Sequence, residues 1–262
     1  MRVVSRVKLA LSGAFVHLLG SAVVAALSAA FVFGVWYPHP YELLSGGRSL
    51  FLLLVGVDVV CGPLLTLVLL SPNKSKKEIY TDLALVFSIQ IAALVYGFSI
   101  SYLARPLYVV HEVDRFRVIT AGDYGDVDVS QSIAGLGSEL RPRWFKGPLV
   151  VGIRDPKDSH ERQDVMLESS FGGRDYSQRP DFYVPYDDTY KVKVLSRARP
   201  LSAFIARYPE YAGEAKDVLM QNGLAVDAAL FLPVVHKQQW VALLDNSAHI
   251  LGFIPGDGFE VP

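Results

Sequence analysis

Three long stretches of this chain are almost free of charge, and the remainder breaks into short alternating runs. Leu9 to Trp36 holds 28 residues without Asp, Glu, Lys or Arg. Ser49 to Leu70 adds 22 with a single acid, and Leu83 to Ala104 another 22 with no charge. A bilayer core asks for ~20 residues of helix, so each run is long enough to cross one. From Arg105 onward the pattern changes. Leu107 to Val113, Phe116 to Ile119 and Pro148 to Ile153 are rich in Val, Ile and Tyr and predict strands. Asp158 to Ser170 predicts an exposed helix, and Leu201 to Gly223 one or two helices broken near Pro209, with Gly223 as the stop. Leu230 to Val235, Gln239 to Leu244 and His249 to Ile254 predict three more strands, the last two joined through a turn at Asp245-Asn246. The fold class is therefore a membrane anchor of three transmembrane α-helices followed by a small α+β soluble domain. The anchor occupies residues 1–104, with spans at about 9–36, 49–70 and 83–104, and the domain residues 105–262.

Charge sharpens this boundary. The part before Arg105 carries 7 Lys/Arg and 4 Asp/Glu, and the part from Arg105 onward 18 and 22, a normal soluble surface. Net charge is −1, so no basic field points to nucleic acid. The first run continues past Ala26-Leu27-Ser28, the place a leader would be cut, and reads as a retained helix. Arg2, Arg6 and Lys8 precede span one, and Lys74, Lys76 and Lys77 join spans two and three, whereas the first connector has only Arg48. The positive-inside rule then puts the N-terminus and the lysine loop in the cytoplasm and the domain across the membrane. Trp36-Tyr37-Pro38 ends span one with aromatic residues suited to the membrane interface.

Span two carries the unusual chemistry. Asp58 places a carboxyl group inside it, about 18 Å from the cytoplasmic end at 1.5 Å per residue. Gly62-Pro63 breaks the helical ladder one turn later, and Pro63 leaves the carbonyl of Val59 needing a donor from a neighbour. Both features turn this helix toward protein. Counting inward, Tyr96 of span three sits at a similar depth, so its hydroxyl is the expected donor to Asp58; His17 and Gln90 lie nearer the cytoplasmic face. Asp58 reads as a polar clamp between helices, as an ion relay, or as a recognition point for another membrane helix. Cys61, the single cysteine, reads as a small packing residue.

Elsewhere catalytic patterns fail. His111-Glu112 and His160-Glu161 open like a zinc-protease motif but lack its second His, and both pairs read as surface. Asp126, Asp128 and Ser130 begin like a calcium loop, yet Gln131 and Gly137 stand where Gly and Glu are needed. Arg197 and Arg199 read as a solvated face. No phosphate loop or nucleophile elbow is present, so no enzyme, metal or cofactor is expected.

The run LLLVGVDVVCGPLLTLVLL, its lysine loop, and ALVYGFSISYLARPLYVVHEVDRF resemble the type IV pilin accessory proteins of the TfpX/TfpZ group. Trp36-Tyr37-Pro38, Gly56-Val57-Asp58, Gly62-Pro63-Leu64, Ala104-Arg105-Pro106, Val113-Asp114-Arg115-Phe116 and the Val241 to Pro255 run carry the resemblance. It implies a bacterial inner-membrane protein with a periplasmic domain that assists assembly or retraction of a type IV pilus. Its expected partners are the lipid bilayer, a major pilin and other pilus assembly components. Asp58, Gly62, Pro63, Tyr96, Arg105, Asp114 and Arg115 are the positions singled out as partner-binding or structural. The alternative is a small membrane transporter or sensor subunit using Asp58 or the far-side domain.

Overall fold

A computed structural model describes residues 2–71, 74–125, 127–143 and 145–261. The chain divides into two compact units. One is formed by the residues up to His39 together with Gly47–Leu103, the other by Pro40–Gly46 together with everything from Ala104 onward.

The first unit is three long helices: α1 (Arg2–Phe31, continued by a π-helical turn Val32–Trp36), α3 (Gly47–Leu69) and α4 (Lys76–Leu103). All three are long and apolar enough to cross a membrane. α4 starts seven residues before the uncharged run because Ser75 and Glu78 form a capping box. The Ser75 N–H donates to Glu78 Oε2 at 2.6 Å, and the Glu78 N–H to Ser75 Oγ at 3.3 Å. Trp36 and Tyr37 are buried against the neighbouring helices. Tyr37 donates to the carbonyl of Ser101 at 2.9 Å, and Trp36 packs edge-on against Phe31, Phe98 and Tyr102. Gly47 makes this closure possible, since a Cβ there would stand 2.5 Å from the Tyr37 ring.

The second unit is a mixed eight-stranded sheet covered on both faces. Its strands are β1 (Pro106–Glu112), β2 (Arg115–Thr120), β3 (Leu149–Ile153), β4 (Tyr183–Pro185), β5 (Arg199–Pro200), β6 (Leu230–Val235), β7 (Gln239–Leu244) and β8 (Ile250–Pro255). They lie in the order β4-β3-β1-β2-β6-β7-β8, with β5 paired to β6. β1 runs parallel to β3, and β2 parallel to β6; the other pairings are antiparallel. Central β1 is buried on both faces, which explains its unbroken apolar run.

One face of the sheet, through Val109, Phe116, Leu232 and Ala242, packs on α7 (Asp188–Leu195). The opposite face packs Phe231, Leu243 and Ile254 against α8 (Leu201–Arg207) and α9 (Ala212–Gln221). Pro209–Tyr211 forms the break between those two helices, and Gly223, at φ +66°, ends the second. α6 (Ser159–Ser170) starts at Asp158, whose side chain accepts from the Glu161 N–H.

The short helix α2 (Tyr41–Leu44) lies in the connector that the sequence reading left inside the anchor. It belongs to the second unit because Leu44 is fully buried in that unit's core and Tyr41 packs edge-on against Phe253. Strand β4, helix α7 and the short helix α5 (Val129–Ala134) are additions that the sequence pattern did not reveal.

Candidate functional site

Three polar side chains of the three-helix unit, His17, Thr66 and Gln90, one from each long helix, bond to one another. His17 Nδ1 lies 2.5 Å from Thr66 Oγ1, and His17 Nε2 lies 2.6 Å from Gln90 Oε1. Gln90 Nε2 donates to the backbone carbonyl of Asp58 at 3.1 Å. Because the Gln90 amide donates to the carbonyl, its Oε1 accepts from the His17 Nε2–H. His17 Nδ1 pairs with the Thr66 hydroxyl, so the ring bonds to both neighbouring helices. The His17 ring also stacks on Phe87 at 5.0 Å. In a bilayer such a closed set holds helices that have no hydrophobic drive to associate.

Gly62 and Pro63 serve this cluster. Gly62 is buried, and a Cβ on it would stand 2.1 Å from Gln90 Nε2 and 3.0 Å from His17 Nε2. Pro63 sits inside α3 and removes one N–H from its ladder. The side-chain donor supplied by α4 reaches the carbonyl of Asp58, one residue before the expected Val59. The clamp is thus made by His17, Thr66 and Gln90, and Tyr96 has no part in it.

Tyr96 does not pair with Asp58 in this unit. It is 63% exposed on the outer side of α4. The Asp58 carboxyl is half-buried, and no hydrogen bond or ion pair to it forms among the described residues. It faces a groove of about 730 Å³ floored by α3 and walled by α1 and α4, with Gly20, Ala25, Val55 and Ile91 in its lining. Cys61 is exposed on α3, not packed between helices as expected.

In the second unit, Asp114 and Arg115 form the tip and first strand residue of the β1–β2 hairpin. Arg115 Nε donates to Asp114 Oδ1 at 2.8 Å, and its guanidinium stacks over Phe259 at 4.5 Å. Val113 precedes them at φ +57°. Arg105 is half-buried in the link between α4 and β1. The structure therefore keeps these three positions within the domain and gives Asp114 and Arg115 to each other.

Three surface readings need correction. His111 is 2% exposed, because central β1 carries it into the core, where its Nδ1 lies 3.0 Å from the Tyr190 hydroxyl. Burial pulls its pKa down to about 4. Its neighbour Glu112 is mostly buried as well, and burial, helped by Asp175, raises its pKa. Arg199 is not a solvated residue either: it donates to the carbonyls of Gly258 and Val261 and stacks on Phe231, pinning the C-terminal segment. His160, by contrast, is exposed and pairs with Asp164. Asp128 caps α5, accepting from the Gln131 N–H at 3.2 Å, while Asp126 lies outside the described residues.

A family described as "Fimbrial assembly protein FimB" matches residues 5–46, which cover α1 and the buried connector. The fimbrial assembly protein of serogroup I from Dichelobacter nodosus is 36% identical over 249 residues, covering 94% of this chain and 95% of its own. The serogroup E1 protein from the same organism is 35% identical over the same length and coverage. A third, for serogroups C1 and C2, is 48% identical over 108 residues, 41% of this chain and 82% of its own. No solved structure matches the chain.

Proposed function

Since the chain belongs to the fimbrial assembly protein family, we propose that it is a non-enzymatic accessory of pilus biogenesis that handles type IV pilin in the membrane and tips the balance between pilus assembly and retraction. The observation that carries this reading is the extent of the similarity: it runs through both anchor and domain, so the whole two-part molecule is what the family shares. The arrangement suits the task. A three-helix anchor meets a membrane-held subunit within the bilayer, and a folded domain meets its exterior part.

The basic residues around span one and the lysine loop support an N-terminus in the cytoplasm of a bacterial inner membrane, with the domain in the periplasm. The test is the amount of pilin sheared from the cell surface after deletion of the gene, with and without the retraction motor. A deficit restored by motor loss places the protein in the assembly–retraction balance. A deficit that persists moves it upstream, to pilin handling before assembly. Normal surface pilin in both backgrounds would overturn the reading and return attention to a transporter or sensor role.

A further inference from the structure

Two polar side chains of the three-helix unit are left without partners by its internal clamp. The Asp58 carboxyl faces the groove between α1 and α4, and the Tyr96 hydroxyl projects from the outer side of α4. Neither makes a hydrogen bond among the described residues. Inside a bilayer neither group finds water, so each has a strong call for a protein partner.

Their depths match. α3 and α4 run antiparallel, and Gly97 lies level with Leu54, a Cβ on it standing 3.5 Å from the Leu54 side chain. Asp58, four residues further along α3, is therefore level with Ala93. Tyr96 stands three residues away, about 4.5 Å along the axis. Side chains on a helix lean toward its N-terminus, which brings the Tyr96 hydroxyl back toward the level of Asp58. The two groups share a depth but point in different directions within one copy. They complement each other between copies.

We propose that the groove seats a second copy of this chain, whose α4 enters it with the Tyr96 hydroxyl donating to the Asp58 carboxyl. The apolar match supports this occupant. The face of α4 that carries Tyr96 also presents Leu85, Ile89 and Leu103, exposed and apolar like the groove lining, with Ala92 beside them. On the groove wall Gly20 has nothing within 4 Å of where a Cβ would stand, so a helix backbone can approach α1 closely there. A lipid chain fills apolar space but offers Asp58 no donor. The contact is independent of the pilin reading, because it needs only this chain.

The test is photo-crosslinking of the full chain in its native membrane, with the reactive residue at Ile91 on the groove wall and two differently tagged copies co-expressed. The expected product carries both tags and forms equally in cells lacking pilin. Tyr96→Phe, which removes one exposed hydroxyl, reduces its yield about tenfold, the factor carried by one interhelical hydrogen bond of ~1.4 kcal/mol. Asp58→Leu does the same, and the double variant is no worse than either. Gly20→Leu, which fills open space without touching the fold, blocks the product from the other wall. A doubly tagged product that survives Tyr96→Phe unchanged would overturn the proposal. So would a product containing pilin in place of the second tag, or no protein product at all.

Discussion

Gly62 and Gln90 fit together because Gly62 has no side chain: a Cβ there would stand 2.1 Å from Gln90 Nε2. The clamp of the anchor depends on that absence. Gly62→Ala pushes the end of the Gln90 side chain aside and breaks its bonds to His17 and the Asp58 carbonyl, at a cost of about 1 kcal/mol. Once Gln90→Ala has removed the clamp, Gly62→Ala should cost little more. Thermal unfolding in detergent of the two single variants and the double variant measures this; additive losses would mean that the two residues are not coupled.

Leu44 makes a connector part of the domain core. It is fully buried with Val109, Phe116 and Leu232, although it sits between two membrane-spanning helices in sequence. Leu44→Ala should destabilise the domain by about 2–5 kcal/mol, as truncation of a buried leucine does. A soluble fragment beginning at Ala104 lacks both Leu44 and Tyr41 and should melt well below the domain in the full chain. Equal melting temperatures would show that the connector contributes nothing to the core.

The sequence pattern made the large elements legible for a simple reason. Membrane spans are defined by length and lack of charge, and the strands from Leu230 to Pro255 by continuous apolar runs ended by turn residues. Direction around a helix was harder to read. Asp58 and Tyr96 share a depth, but Tyr96 is six residues beyond Gln90, about 120° around α4, and so faces away from the clamp. Gln90 and His17 lie on the shared face, a relation that depth alone does not contain. His111 looked like a surface residue because it precedes an acid; only the sheet order shows that β1 is central and buries it. The Leu44 connector was hidden by its brevity, since four helical residues give no periodicity.

Val113 holds the β1–β2 hairpin in a costly conformation. Its φ is +57°, and the Asp114 N–H closes the turn on the Glu112 carbonyl at 2.7 Å. A β-branched residue in the left-handed region costs about 1–2 kcal/mol. The side chain is 68% exposed, so little packing offsets this. Val113→Gly should raise domain stability by about 0.5–1 kcal/mol after the greater unfolded-state freedom of glycine is allowed for. Chemical denaturation reads the difference; a loss of stability would mean that the valine side chain makes a contact worth more than the strain.

His111 should make the domain sensitive to mild acid. Its pKa falls from the ordinary 6.5 to about 4 because burial disfavours the imidazolium. Above 6.5 the imidazole is neutral whether the chain is folded or not, and stability does not depend on this group. Between 6.5 and 4 the unfolded chain takes up a proton that the folded chain refuses, so stability falls as pH falls. Below about 4 the loss levels off, at roughly 3 kcal/mol in total. Glu161, whose carboxylate is held down to about 2 chiefly by its bond from Arg154, acts only below the ordinary glutamate value of 4.5. The two contributions therefore separate along the pH axis. Hydrogen exchange of the β1 amides in the full chain, followed from pH 7 to 4.5, measures the first. His111→Gln should reduce that slope without abolishing it, because burial also lowers the pKa of His236 while raising that of Glu112, which acts in the opposite sense; an unchanged slope would show that His111 takes up no proton on unfolding.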